Sequence, residues 1–254
     1  MKPKSHIVSL ILLVLTRVWA SNAQSLTAFQ NLNFEQANLS AIPITGEGGL
    51  VAIDLAMPGW MGFIGTQATS QVLQNNFYTG DAGIMIEGPN WGTAEGIIAG
   101  KYTAGLISGG AGQYQPATLS QTGLVPLGAA SLQIKLSPGA TGFAISLASQ
   151  PIRMIPLLTA STYTVYGGAI PAGLAGTEAN LSISALPTAQ SPRNGFYFDD
   201  LAFSASPVPE PETGWLLLTG GAALGIAGRL ADRAKRSGAT KAPYAAGEPN
   251  TFAE

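Results

Sequence analysis

The sequence predicts an all-β fold, a sandwich or a barrel, in a chain with an apolar segment at each end. Short apolar runs punctuated by glycine and proline recur from residue 26 to residue 206. About ten of them have strand length, and no long segment of 3.6-residue period precedes residue 213. The chain of 254 residues is 46% hydrophobic, with 32 glycines and 17 prolines. That glycine and proline content stays below the roughly 25–30% of low-complexity chains, so a packed core is expected.

The first segment reads as an export signal. Lys2 and Lys4 precede Ile7 to Thr16, ten residues without a charge. Such a run falls within the roughly 7–15 residues of a signal-peptide core and is too short to span a bilayer. Ser21-Asn22-Ala23 is a small-x-small cleavage site, which makes residues 1–23 the signal; Val18-Trp19-Ala20 is the other candidate cut. Arg17 is an unusual charge between the apolar run and the cut. The competing reading is an uncleaved anchor.

The strands follow, in residues 24–206. Early candidates are 29–34, 50–55, 83–86, 102–107 and 117–121. Residues 131–136 alternate strictly, with Leu132, Ile134 and Leu136 on one face and Ser131, Gln133 and Lys135 on the other. Residues 142–147, 162–166, 180–184 and 196–203 continue the pattern. No repeat of fixed period appears, so a solenoid is excluded.

The last segment reads as a membrane-directed signal. Thr213 to Gly228 are 16 uncharged residues, short of the roughly 20 of a comfortable span. Leu230 and Ala231 extend the stretch to residues 213–231 if the Arg229 side chain reaches back to the interface. Arg229, Arg233, Lys235 and Arg236 follow, which places the C-terminal side in the cytoplasm and the strand-rich domain outside. The tail 237–254 is polar, rich in glycine and alanine, and expected to be disordered.

Pro209-Glu210-Pro211, the apolar helix and the basic cluster, in that order, resemble the PEP-CTERM sorting domain of Gram-negative bacteria over residues 207–236. The same segment is also catalogued as the C-terminal domain of ice-binding proteins. The resemblance implies processing by an exosortase-type enzyme, export through the general secretion machinery, and an association with exopolysaccharide. It implies delivery to the cell envelope, outer surface or extracellular matrix. The tail departs from the family, whose members end soon after the basic cluster. An unprocessed, permanent single-span anchor is the alternative. Ice-binding surfaces use long Thr-x-Thr arrays, and only Thr162-Tyr163-Thr164 occurs here, so that role is rejected.

Several segments resemble the galactose-binding-like jelly roll. Residues 29–35 look like its first strand, 166–183 like its short helical crossover and following strand, and 198–204 like its closing strand. Pro58-Gly59-Trp60 and residues 121–126 are also similar to exported proteins of this type. The implied fold is a jelly-roll β-sandwich with its first and last strands close together.

The chemistry-bearing residues are few. The only histidine is His6 and there is no cysteine. After the signal, His-dependent triads, Cys nucleophiles and zinc sites built on either residue are therefore excluded. Residues 25–206 hold nine carboxylates and four basic side chains, a net charge of −5, which gives no footprint for nucleic acid. A glycosidase needs two carboxylates facing across a cleft, roughly 5–9.5 Å apart. Asp199 and Asp200 are the only adjacent pair, and strand neighbours point to opposite faces. The reading is non-enzymatic, with an exported glycan-active enzyme as the alternative.

By the jelly-roll resemblance, Glu35 on the first strand and Asp199 near the last match the positions that hold a structural calcium ion in carbohydrate-binding modules, with Asp200 as a substitute for Asp199. Hard oxygen ligands suit Ca²⁺. The competing reading is that both carboxylates cap strand ends and face water. For a polysaccharide ligand, Trp60 and Trp91 lie in Gly/Pro-rich loops, and Asn90 stands beside Trp91. The competing reading there is a loop tryptophan folded back over the core.

Overall fold

Alternation of apolar residues builds two sheets that bury their facing sides. The computed structural model describes residues 27–39, 49–76, 80–89, 96–110, 114–189 and 191–208. The strands are β1 (Leu50–Ala52), β2 (Met61–Ile64), β3 (Gln67–Thr69), β4 (Gln71–Gln74), β5 (Gly83–Glu87), β6 (Thr103–Ile107) and β7 (Ala117–Leu124). They continue with β8 (Ser131–Leu136), β9 (Phe143–Leu147), β10 (Gln150–Pro151), β11 (Ile155–Thr159), β12 (Thr164–Ala169), β13 (Glu178–Ala185) and β14 (Gly195–Ser204). One four-residue helix, α1 (Ile53–Ala56), follows β1.

The larger sheet has eight strands in the order β1-β4-β5-β6-β14-β8-β12-β11. The smaller has six, β10-β9-β13-β7-β2-β3. From β6 onward the chain keeps crossing between them. The inner orders β6-β14-β8-β12 and β7-β13-β9-β10 are those of a jelly roll, two Greek keys folded face to face. The expected β-sandwich is what forms. β1, β4 and β5 widen one sheet and β2 and β3 the other.

The core lies between the sheets. Leu132, Ile134 and Leu136 of β8, Leu181 and Ile183 of β13, and Phe196 and Phe198 of β14 are all buried. Phe34 packs edge-on to Phe198 at 5.4 Å between ring centroids, and Phe29 stacks on Phe203 at 5.2 Å. The first segment thus meets the last strand, as the resemblance implies, although it is not itself a strand. Asn31 (φ 49°) and Phe34 (φ 57°) are left-handed, which breaks extension at two points three residues apart. The segment is pinned instead by reciprocal bonds: Gln30 N–H donates to Gln121 Oε1 (2.6 Å) and Gln121 Nε2 donates to Gln30 O (3.0 Å).

Two further expectations are corrected. The candidate strand at 50–55 stops at Ala52 and turns into α1. The helical crossover expected after residue 166 is absent: β12 runs to Ala169, and turns with Gly173 (φ 83°) and Gly176 (φ 78°) lead into β13. Positive φ at glycine favours tight turns over a helix. Among the described residues no helix is long and apolar enough to cross a membrane. The signal at 1–23, the apolar stretch 213–231 and the tail 237–254 lie outside the described residues.

Candidate functional site

The outer face of the larger sheet carries a polar row across four neighbouring strands. Ile84 and Ile86 of β5, Ala104 and Leu106 of β6, and Phe196 and Phe198 of β14 belong to the core. Period-2 alternation therefore turns Glu87, Thr103 and Asp199 to the other face. Glu87 pairs in register with Thr103, and Asp199 with Lys135. Thr103 Oγ1–H donates to Asp199 Oδ2 at 2.9 Å, completing the row Glu87, Thr103, Asp199, Lys135. A stretch of irregular chain, residues 96–102, lies over it. There the Ile98 amide donates to Thr103 Oγ1 at 2.9 Å.

Glu35 and Asp199, the expected calcium pair, are brought to this same stretch. Glu35 Oε1 accepts from the amides of Lys101 (2.7 Å) and Tyr102 (3.0 Å), and the next residue, Thr103, holds Asp199. Gly100 (φ +61°) makes the approach possible, because a Cβ there would occupy the position of Glu35 Oε1. Asp199 is fully buried and its Oδ1 accepts from the Asp200 amide at 2.7 Å. Burial pushes its carboxyl up to about 7, the negative charges of Asp200 and Glu35 push the same way, and its two hydrogen bonds oppose them.

Asp200 goes elsewhere. Between Asp199 and Ala202 the register of β14 on β8 slips, so Asp200 and Leu201 stand opposite the single Ile134. This is a β-bulge, with Asp200 left-handed at φ 47°. It aims Asp200 at Lys135, whose Nζ lies 2.6 Å from Oδ2 and 4.9 Å from the Tyr163 ring centroid. The hydrogen bond to Asp200 raises the Lys135 ammonium above its usual range. The bulge also frees the Leu201 amide to donate to Leu32 O at 3.0 Å, tying the first segment to the last strand.

Glu87 and Tyr197 form the other end of the row. Glu87 is fully buried; its Oε2 has no hydrogen-bond partner, and its Oε1 lies 3.5 Å from the Tyr197 hydroxyl. Burial drives the Glu87 carboxyl up to about 7, and burial beside that carboxyl raises the Tyr197 hydroxyl as well. Glu87, Tyr197, Thr103 and Lys135 are not among the site residues expected from the sequence. Strand period at 83–87 was a signal for the facing of Glu87, but nothing local signals that residues 96–102 cover it.

Trp60 is a correction. As an expected sugar-stacking residue it should present a ring face to solvent, yet it is only 4% exposed. Its Nε1–H donates to Asn31 O at 3.1 Å and its ring stacks on Phe34 at 5.7 Å, so it covers the core. Asn90 and Trp91 lie outside the described residues, as do Pro209, Glu210, Pro211, Arg229, Arg233, Lys235 and Arg236. Among the described residues no three His, Cys, Asp or Glu side chains converge as a metal cluster.

No family model matches the chain, and no curated protein does. Among solved structures, the chain is similar to an apo-form cyclase from Fischerella sp. at 14% identity and TM-score 0.43, covering 73% of this chain and 98% of that one. A cyclase from Fischerella sp. TAU matches at 15% identity and TM-score 0.41 over the same shares. The enzymatically active domain of tailspike protein 4 from Bacteriophage CBA120 matches at 10% identity and TM-score 0.33, over 57% of this chain and 19% of that one.

Proposed function

We propose that this chain is an exported, non-enzymatic protein of the cell envelope or extracellular matrix, sorted through residues 207–236 and associating with exopolysaccharide. The observation that carries the reading is in the sequence: an export signal at 1–23 and a Pro-Glu-Pro, apolar, basic signal at 207–236 bracket an acidic domain. An exosortase-type enzyme is the proposed processing partner, and residues 213–231 the proposed membrane segment. The Glu35–Asp199 pair is proposed to hold a structural Ca²⁺. The donor set suits it: two carboxylates of hard oxygens stand at one run of chain, and the two charges that act on the buried one are both negative. The ion would supply the missing positive charge and join the first segment to the last strand.

Cell fractionation tests the reading. The domain is expected in exported fractions, with a mass that lacks residues 1–23. Recovery of the unprocessed chain from the cytoplasm sinks it. Retention of residues 213–254 on the exported protein favours the permanent anchor. Purified residues 24–206 should be retained on a polysaccharide column without releasing reducing ends. Release that is abolished by one carboxylate substitution would instead establish the glycan-active enzyme.

A further inference from the structure

Glu87 is buried in a way the calcium proposal does not use. Its carboxyl sits on the outer face of a sheet, where water would ordinarily reach it, and is sealed off by the chain that lies across it. The seal is close. A Cβ on Gly96 would lie 3.3 Å from Glu87 Cγ and 3.4 Å from Tyr197 Cζ. Oε2 meets no donor and no acceptor, and the Tyr197 hydroxyl reaches Oε1 only at 3.5 Å.

A neutral carboxyl tolerates such a place far better than an ionised one, because a buried charge without donors loses its hydration and gains nothing in return. Beyond the Tyr197 hydroxyl, the described groups facing Glu87 offer no compensating charge. Residues 96–100 read Gly-Ile-Ile-Ala-Gly and carry no titratable side chain. Lys101 is exposed. Thr103 from β6 and Asn75, beyond the end of β4, are uncharged, and Asn75 Oδ1 already accepts from the Gly88 amide. From β14 come Tyr197, which keeps its proton, and Asp199, the next carboxyl along the row. Glu95 lies outside the described residues.

The covering stretch is the part that can yield. β5 and β6 are joined by a full antiparallel ladder over five residue pairs, and β6 is joined to β14 over four. Among the described residues, the hydrogen bonds that hold 96–102 are single amides, of Ile98 on Thr103 and of Lys101 and Tyr102 on Glu35, and only Tyr102 at its end packs against the core. Segments with few ladder bonds open locally at lower free energy than core strands.

We propose that Glu87 is a proton-operated latch: its protonated carboxyl holds residues 96–102 closed against the larger sheet, and its ionisation lifts them. The proposal is independent of export and of calcium. Its direction follows from linkage. The closed form binds the proton more tightly than the open one, with the carboxyl moved from its ordinary 4.5 to about 7. Opening therefore grows about tenfold per pH unit between those values, roughly 300-fold in all, and levels off above them.

Hydrogen exchange on the full chain in chelator tests it, with the Ile98 amide as reporter and an amide in the middle of β8 as the folding control. After correction for intrinsic exchange, protection at Ile98 is expected to fall across pH 4.5–7 and to lie below that of the β8 amide at every pH, because the β8 amide exchanges only on global unfolding. Glu87→Gln should leave Ile98 protection flat with pH, Asp199 being intact. A flat wild-type profile overturns the latch, and so does a fall that persists unchanged in Glu87→Gln. Should Glu87→Gln lose protection in β8 as well, Tyr197→Phe decides. Removing the Tyr197 hydroxyl, which stabilises the ionised form, should extend the fall to higher pH, and an upper end left in place overturns the proposal.

Discussion

At the residue scale, the unusual feature is a pair of fully buried carboxyls, Glu87 and Asp199, flanking Thr103 on the outer face of a sheet. Both sit at about 7 in the fold, raised chiefly by burial from ordinary values of 4.5 and 3.8. A carboxyl raised on folding contributes stability that is complete below its unfolded value. That contribution is lost as pH climbs to the folded value and stays lost above it. Without divalent cations, the urea midpoint of residues 24–206 should therefore fall between about pH 4 and 7 and level off beyond. The Asp199→Asn, Glu87→Gln double variant should remove most of that slope. An unchanged slope in the double variant means that other groups carry it. Strand alternation made the facing of Glu87 readable from the sequence. Its burial was not, because the cover comes from residues 96–102, whose path depends on Glu35 and Thr103.

At the element scale, the bulge in β14 and the turn at Gly100 do what regular strands cannot. The bulge separates two adjacent carboxylates, sending Asp200 to Lys135 while Asp199 stays under Thr103 and the Asp200 amide. Gly100 lets Glu35 reach two successive amides. Gly100→Ala combines a left-handed backbone with a Cβ placed on a carboxylate oxygen. It should destabilise the domain by about 1–3 kcal/mol, read as a lower urea midpoint with an unchanged slope. A midpoint equal to wild type would show that Glu35 swings away without loss. The Lys135–Asp200 pair, by contrast, is partly solvent-exposed and worth at most about 1 kcal/mol.

At the scale of the whole molecule, closure of the sandwich depends on the first segment meeting the last strand. Phe29 on Phe203, Phe34 on Phe198 and the Leu201–Leu32 bond already do this without metal. A Ca²⁺ on Glu35 and Asp199 would add about 2.7 kcal/mol at a hundredfold excess over its Kd. For a domain near 180 residues, that raises the melting midpoint by several degrees, at roughly 2–4 °C per kcal/mol. Residues 24–206 should melt higher in calcium than in chelator, and Glu35→Gln and Asp199→Asn should each abolish the difference. A wild-type midpoint indifferent to chelator removes the ion. A shift retained in both variants moves it to another site.

Apolar alternation and glycine punctuation determined by themselves that the chain is all-β, and they located β5 to β9 and β12 to β14 within a few residues. Those strands declare themselves because one face of each is core. The short or edge strands β2, β3, β4, β10 and β11 do not; β11 is mostly exposed and carries Pro156, so it leaves little periodic trace. Resemblance supplied Glu35 and Asp199 as a pair, and left-handed residues that no local pattern announces turned the expected first strand into a folded cap. Which loop tryptophan turns inward, which carboxyl loses its water and which chain segment covers it were decided only in three dimensions. They depend on contacts that no local pattern contains, such as Trp60 with Asn31, 29 positions apart, Lys101 with Glu35, 66 apart, and Tyr197 with Glu87, 110 apart.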